Sequence, residues 1–123
     1  MIDSFYFFDS YAIIEILRNN ENYKKYTSAI VFLTKLNLFE VYYAILRLNG
    51  EQEADSFLHR HASFAIEYDD EVIKEAAKLK FQYKVRKISM ADAIGYVVAK
   101  NWNCKFLTGD QQFADLENVE YVK

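Results

Sequence analysis

Residues 89–110 read SMADAIGYVVAKNWNCKFLTGD, and the first half of this stretch predicts a helix. Ser89 stands three residues before Asp92, which is the spacing of a helix N-cap followed by an acid in the first turn. Apolar residues then recur at helical spacing until Asn101, and Gly95 removes a side chain where another element can pack closely. Asp92 is therefore expected near the start of a helix.

The second half of the stretch predicts a strand followed by a turn. Residues 105–108 (KFLT) form a short strand-like run, and Gly109 with Asp110 marks the turn after it. Open α/β sheets bind their ligands at the carboxyl ends of strands. Asp110 is therefore a candidate for a functional site.

The rest of the chain alternates in the same way. Apolar runs predict further strands at 5–8, 29–33, 64–68 and 119–122. Helical spacing predicts helices at 11–17, 22–26, 37–48, 51–61 and 69–86, and a turn or short helix at 111–116. Strands that alternate with helices indicate an α/β fold with a parallel sheet, because parallel neighbours need crossover connections.

Two further acids occupy positions equivalent to those of Asp92 and Asp110. The aromatic run 5–8 ends at Asp9, so this acid also follows a buried strand. Asn37 stands three residues before Glu40 and predicts a second helix start with an acid in its first turn. A doubly wound sheet would place its first and fourth strands at the switch point, which would bring Asp9 close to Asp110.

Four acids are thus expected at one end of the sheet: Asp9, Glu40, Asp92 and Asp110. Converging carboxylates raise one another's proton affinity, so they need protons, hydrogen-bond donors or cations. Oxygen ligands favour Mg²⁺ or Mn²⁺, and such an ion can activate water and neutralise phosphate charge in phosphodiester hydrolysis. The competing interpretation of each acid taken alone is a helix cap or a turn residue.

Composition limits the class of protein. A chain of 123 residues with 52% hydrophobic content fits a single domain, 1–123. The net charge of −3 gives no basic signature, so an anionic substrate would need local cations. The single cysteine, Cys104, excludes an internal disulfide and fits a reducing compartment. Residues 1–8 are too short and too acidic for a secretory signal, and no apolar run has membrane-spanning length, so a cytoplasmic location is expected.

The same motifs resemble a known family, the PIN-domain ribonucleases, whose small members include the VapC-type toxins of toxin–antitoxin pairs. The resemblance spans nearly the whole chain. It is carried by Phe8-Asp9-Ser10, by Glu40, by residues 88–93 (ISMADA) and by residues 107–113 (LTGDQQF). The last two segments together are fairly specific.

The resemblance implies a three-layer α/β/α fold with a five-stranded parallel sheet of order 3-2-1-4-5. It also implies an Mg²⁺- or Mn²⁺-dependent ribonuclease site formed by Asp9, Glu40, Asp92 and Asp110. Ser10 and Thr108 match polar positions that hydrogen-bond these acids or a bound water. Glu15 competes with Glu40 for its role, and Asp115 matches an acid of some members and is the candidate for an outer ligand.

The expected partners follow from the same two sources. The resemblance implies an RNA substrate and an antitoxin protein. A homodimer is expected because the helix over 39–48 carries more apolar surface than one small sheet can cover. No membrane partner is expected.

Three other classes compete. A phospho-acceptor receiver domain would need an acidic pair after the first strand and a lysine after the last, whereas this chain has Asp9-Ser10 and ends at Lys123. A phosphatase of the Asp-x-Asp type would need an acid where Tyr11 stands. A PIN-like protein that only binds its partners is the remaining alternative, and the presence of all four acids argues against it.

Overall fold

The computed structural model describes residues 5–123, and residues 1–4 of the N-terminal stretch considered above lie outside the described residues. The strands are β1 (Phe5–Phe8), β2 (Ile30–Phe32), β3 (Lys105–Thr108) and β4 (Val119–Tyr121). The helices are α1 (Ser10–Leu17), α2 (Lys35–Asn49), α3 (Glu51–His61), α4 (Asp70–Gln82) and α5 (Met90–Asn101). Short 3₁₀ helices span Glu21–Tyr26, Ala62–Phe64 and Gln111–Phe113. In this part of the chain no helix combines the length and the apolar character that crossing a membrane requires.

Within residues 5–123 the sheet has four parallel strands in the order β2-β1-β3-β4. The α/β class is confirmed, but the prediction of five strands in the order 3-2-1-4-5 is wrong. The predicted third strand, 64–68, forms a single parallel bridge between Ala65 and Leu33. The physical reason is that α2 begins at Lys35, two residues after Leu33, and that Ala62–Phe64 is a 3₁₀ helix, so too little extended backbone remains for a longer ladder.

Two apolar cores lie on opposite faces of the sheet, because successive side chains of a strand point to opposite sides. Phe7 of β1 and Phe106 of β3 pack with α4 and α5 on one face. Phe8 and Leu107 pack with α1, α2 and α3 on the other. These four side chains are at most 1% exposed. The two cores give the molecule its three-layer α/β/α arrangement.

Gly95 brings α5 close to the centre of the sheet. A Cβ atom added at this position would lie 2.6 Å from Cε1 of Phe7, well inside carbon–carbon contact distance. The sequence-based expectation of a close approach at Gly95 is therefore confirmed. Because α5 lies so near β1, its first turn and Asp92 are held beside the end of that strand.

The start of α2 differs from the prediction. Asn37 is not the N-cap: α2 begins at Lys35, with Thr34 as the cap. The Asn37 Oδ1 atom instead accepts hydrogen bonds from the Thr34 N–H at 2.9 Å and from Thr34 Oγ1 at 3.0 Å. Glu40 consequently lies in the second turn of α2, where its side chain can reach across to α1.

The predicted helix over 69–86 is also shorter in the structure. Asp69 caps α4, and the helix ends at Gln82. The residues that follow form a turn in which the Arg86 N–H donates to the Tyr83 carbonyl at 2.8 Å. This turn leads the chain back towards Ser89 and the start of α5.

Candidate functional site

Asp9 lies at the junction of β1, β3 and α1. It is the N-cap of α1, and its Oδ1 atom accepts a hydrogen bond from the Ala12 N–H at 2.8 Å. Its own N–H donates to the Leu107 carbonyl at 3.2 Å, which ties it to the neighbouring strand. The residue is 1% exposed, and its Oδ2 atom has no hydrogen-bond partner among the described residues. A buried carboxylate oxygen without a partner is costly, so this atom is suited to a proton or a cation.

Asp92 lies in the first turn of α5, as the sequence predicts. Ser89 is the N-cap, and its Oγ atom accepts a hydrogen bond from the Asp92 N–H at 3.1 Å. Burial raises the pKa of Asp92 to about 7, and the charges of Glu40 and Asp110 add to this rise. The Asp92 carboxyl group therefore takes up and releases a proton near neutral pH.

Asp110 follows β3 at the same edge of the sheet. Its N–H donates to Thr108 Oγ1 at 2.9 Å, and its Oδ1 atom accepts from the Gln112 N–H at 2.9 Å. Thr108 is fully buried and so holds the turn from inside the protein. These local bonds give Asp110 a fixed place at the strand's carboxyl end.

The four predicted acids influence one another electrostatically. Burial raises the pKa of Asp9 well above its usual range, and the charges of Asp92 and Asp110 raise it further. Glu40 and Asp110 act in the same way on Asp92. Asp92 is thus linked to each of the other three acids. The four carboxyl groups are therefore near enough to influence one another's pKa values or charges at the carboxyl end of the sheet.

A chain of polar contacts supports Glu40. Ser10 Oγ donates to Glu40 Oε1 at 2.5 Å, and Asn37 Nδ2 donates to Ser10 Oγ at 3.1 Å. Thr34 in turn holds Asn37, which is fully buried. Sequence reasoning assigned no site role to Thr34 or Asn37. The signal that could have found them is the Thr34, Asn37, Glu40 spacing of three residues, which places all three side chains near one face of a helix.

Glu15 faces a different part of the molecule. Its carboxylate accepts a hydrogen bond from Asn20 Nδ2 at 2.7 Å and lies 3.8 Å from Arg18 Nη1, both beyond the C-terminal end of α1. It has no contact of this kind with the other acids. The geometry therefore favours Glu40 over Glu15.

Asp115 is engaged by an arginine. Arg86 Nη1 donates to Asp115 Oδ1 at 2.9 Å, and Arg86 Nη2 donates to Oδ2 at 3.0 Å. This two-point hydrogen bond holds the pKa of Asp115 below its usual range. Because Arg86 uses both carboxylate oxygens, the role of Asp115 as an outer ligand stays a prediction.

The residues present suit a divalent cation. Carboxylate and hydroxyl oxygens are the ligands that Mg²⁺ and Mn²⁺ prefer, and Asp9 Oδ2 is a buried oxygen that lacks a donor. Across residues 5–123, no three Asp, Glu, His or Cys side chains already form a ligand set. Glu40, Asp92 and Asp110 are half-buried, whereas Asp9 is fully buried. The group therefore fits an ion as one buried acid with three acids that solvent can reach.

Comparison with known proteins gives matches in fold and in family. A chain described as a toxin–antitoxin complex from Klebsiella pneumoniae superposes with a TM-score of 0.74 at 19% identity, covering 94% of this chain and 96% of that one. FitAcB from Neisseria gonorrhoeae superposes with a TM-score of 0.70 at 18% identity, covering 95% of this chain and 96% of that one. VapBC2 from Rickettsia felis, bound to a DNA fragment from its promoter, superposes with a TM-score of 0.69 at 15% identity, covering 96% of this chain and 98% of that one.

The search of curated protein sequences finds no significant match. The family comparison, in contrast, matches residues 6–119 to the PIN domain, and this range contains every acid of the candidate site. A match over this length covers both core faces and all four strands except Phe5 of β1 and the last two residues of β4. The chain therefore belongs to the PIN domain family.

Proposed function

We propose that this protein is an Mg²⁺- or Mn²⁺-dependent endoribonuclease and acts as the toxin of a toxin–antitoxin pair. The observation that carries the proposal is the buried Asp9, whose Oδ2 atom has no partner and whose neighbour Asp92 has a pKa of about 7. An acid that only caps a helix does not need to be buried or to lie close to other acids. Membership of the PIN domain family supports the same conclusion and weakens the receiver-like alternative.

The four acids would hold the ion: Asp9, Glu40, Asp92 and Asp110. When bound, a divalent ion polarises water and neutralises charge on the scissile phosphate. The chain's own contribution is placement. Ala12 fixes Asp9, Ser10 orients Glu40, and Thr108 fixes the turn that bears Asp110. Asp92 holds a proton in part of the population near pH 7 and would release it when a cation arrives.

The antitoxin is proposed from two observations. One of the solved structures compared above, from Klebsiella pneumoniae, is described as a toxin–antitoxin complex. On this chain, α2 exposes large apolar side chains, with Phe39 71% and Leu48 67% exposed. An open groove of about 440 Å³ runs beside them, lined mainly by Leu38, Phe39, Tyr42 and Leu58. Apolar surface of this kind usually marks a protein interface.

RNA cleavage by the purified protein tests the proposed activity. A fluorescently labelled single-stranded RNA and a structured RNA are incubated with the protein in Mn²⁺ or Mg²⁺, in EDTA, and in EDTA followed by excess Mn²⁺. We expect cleavage with either ion, none in EDTA, and recovery when Mn²⁺ is restored. Cleavage that persists in EDTA would show that the proposed mechanism is wrong. The variant Asp9→Asn, purified in the same way, controls for a contaminating nuclease.

A further inference from the structure

Tyr11 and Gly109 meet where two neighbouring strands end. Tyr11 is the second residue of α1 and follows Asp9 and Ser10, while Gly109 lies between β3 and Asp110. The Asp9 N–H bonds to the β3 residue Leu107, so the two chain segments leave the sheet side by side. A contact here joins α1, which follows Asp9, to the turn that carries Asp110.

The Tyr11 ring fills the space that a side chain at Gly109 would need. A Cβ atom added to Gly109 would lie 2.1 Å from Tyr11 Cε1 and 2.7 Å from both Cδ1 and Cζ. Carbon atoms in favourable contact are roughly 3.5–4.0 Å apart, so no side chain fits while the ring stays in place. Gly109 does not have a positive φ angle, so the backbone conformation does not require glycine there. Glycine is needed at this position to make room for the ring.

The hydrogen bonds that hold Asp110 itself are local, and the longer-range bond at Gln112 comes from Arg86 rather than from α1. Thr108 and Gln112 hold Asp110 through bonds within the segment 108–112. Those local bonds fix the shape of the turn, and none of them is made to α1. The Tyr11 ring lies between α1 and this turn. The residue is 37% exposed, so only part of its surface is packed against other residues.

We propose that Tyr11 is a positioning residue whose ring, packed on Gly109, sets the separation between Asp110 and Asp9 and so the strength of divalent-ion binding. This inference rests on the proposed function, because it gives Tyr11 a role in the metal site. The ring makes the contact, and the hydroxyl group is not needed for it. Tyr11 acts through Asp110 and touches no reacting atom in this account.

Mn²⁺ titration by calorimetry tests the inference on four variants beside the parent: Tyr11→Phe, Tyr11→Ala, Gly109→Ala, and the double variant Tyr11→Ala with Gly109→Ala. Tyr11→Phe keeps the ring and should bind Mn²⁺ like the parent. Tyr11→Ala and Gly109→Ala should each bind about tenfold more weakly, the lower end of the loss when a group that orients a metal ligand is removed. The double variant should bind better than Gly109→Ala alone, because the methyl group then occupies the space the ring has left.

A second measurement separates positioning from general stability. Melting temperatures with and without Mn²⁺ should show a smaller metal-induced rise for Tyr11→Ala than for the parent, whereas a merely structural residue would lower both temperatures equally. Should Tyr11→Ala not fold, Tyr11→Leu replaces it in both measurements. Parental Mn²⁺ affinity in the alanine or leucine variant would overturn the inference alone. A double variant whose loss of Mn²⁺ affinity equals the product of the two single losses would also overturn it, because the two positions would then act independently. A parent protein that binds no Mn²⁺ would overturn the proposed function as well.

Discussion

Ser10 Oγ donates to Glu40 Oε1 at 2.5 Å and so connects the first residue of α1 to the second turn of α2. The same oxygen accepts from Asn37 Nδ2 at 3.1 Å, and Asn37 is fully buried. Ser10 thus satisfies a buried amide and orients an acid of the candidate site. The two roles predict two separate effects of its removal.

Replacing Ser10 with alanine should reduce both stability and activity. The free energy of unfolding should fall by about 1–2 kcal/mol, because the buried Asn37 amide loses its acceptor. RNA cleavage at fixed Mn²⁺ should fall about tenfold, because Glu40 is no longer held in one orientation. Urea unfolding and the cleavage assay measure these effects. Ser63→Ala, at an exposed position, is the control and should change neither. Full cleavage by Ser10→Ala would remove Ser10 from the site.

Replacing Asp9 with asparagine should stabilise the metal-free protein. Asparagine keeps the N-cap bond to Ala12 but removes a buried charge, so a gain of about 1–2 kcal/mol is expected at pH 8. Asp69→Asn is the matched control, because Asp69 caps α4 through a bond from the Val72 N–H at 3.2 Å but is exposed. This control should be neutral or slightly destabilising. If urea unfolding shows the same change for both variants, Asp9 is only a cap.

The stability of the metal-free protein should depend on pH in a defined direction. The pKa of Asp92 rises from an ordinary 3.8 to about 7 on folding, so the folded state binds more protons between these values. Stability should therefore be highest below about pH 4, as far as this group is concerned, fall as the pH rises towards 7, and level off above 7. Asp9 adds an effect of the same sign.

Thermal melts from pH 5 to 8 in EDTA measure this dependence. The melting temperature should fall by several degrees over the range, since about 1 kcal/mol corresponds to a few degrees in a domain of this size. Added Mn²⁺ should oppose the fall, because a cation replaces the protons. The variant Asp92→Asn should flatten the profile. A melting temperature that rises steadily to pH 8 in EDTA would contradict the crowded-acid account.

In protein purified without an antitoxin, the apolar face of α2 predicts self-association. Phe39 and Tyr43 are 71% and 55% exposed, and covering them favours a second copy of the chain. Light scattering at high concentration should give about twice the monomer mass of 14.5 kDa. Phe39→Ser should shift the mass towards the monomer. Phe81→Ser removes an equally exposed ring from α4 and should not. A monomeric parent, or dissociation by Phe81→Ser alone, would count against α2 as the interface.

The places of most candidate acids in the fold could be predicted because these acids stand at positions defined by local sequence. Asp9 and Asp110 follow apolar runs, and Ser89 with Asp92 has the spacing of a helix cap. These signals involve a few neighbouring residues, and the structure bears them out.

The missed features depend on partners distant in sequence. Residues 64–68 have the composition of a strand, but a longer pairing requires several extended residues beyond Leu33, and α2 begins at Lys35. Asn37 is a residue type that favours N-cap positions, yet Thr34 takes that position. The hydrogen bond from Asn37 to Ser10 joins residues that are 27 apart in the sequence. The contact between Tyr11 and Gly109 joins the first helix to the turn after the third strand, and these segments are far apart in the sequence. No local pattern carries such information.

The most direct test of the central claim is the binding of Mn²⁺ itself. Calorimetric titration at pH 7.5, with a parallel titration of the protons released, is performed on the parent, on Asp9→Asn and on Asp69→Asn. The acids of the candidate site predict saturable binding by the parent with release of protons, a large loss of affinity in Asp9→Asn, and parental binding in Asp69→Asn. Equal Mn²⁺ binding by the parent and Asp9→Asn, or no saturable binding by the parent, would contradict the account.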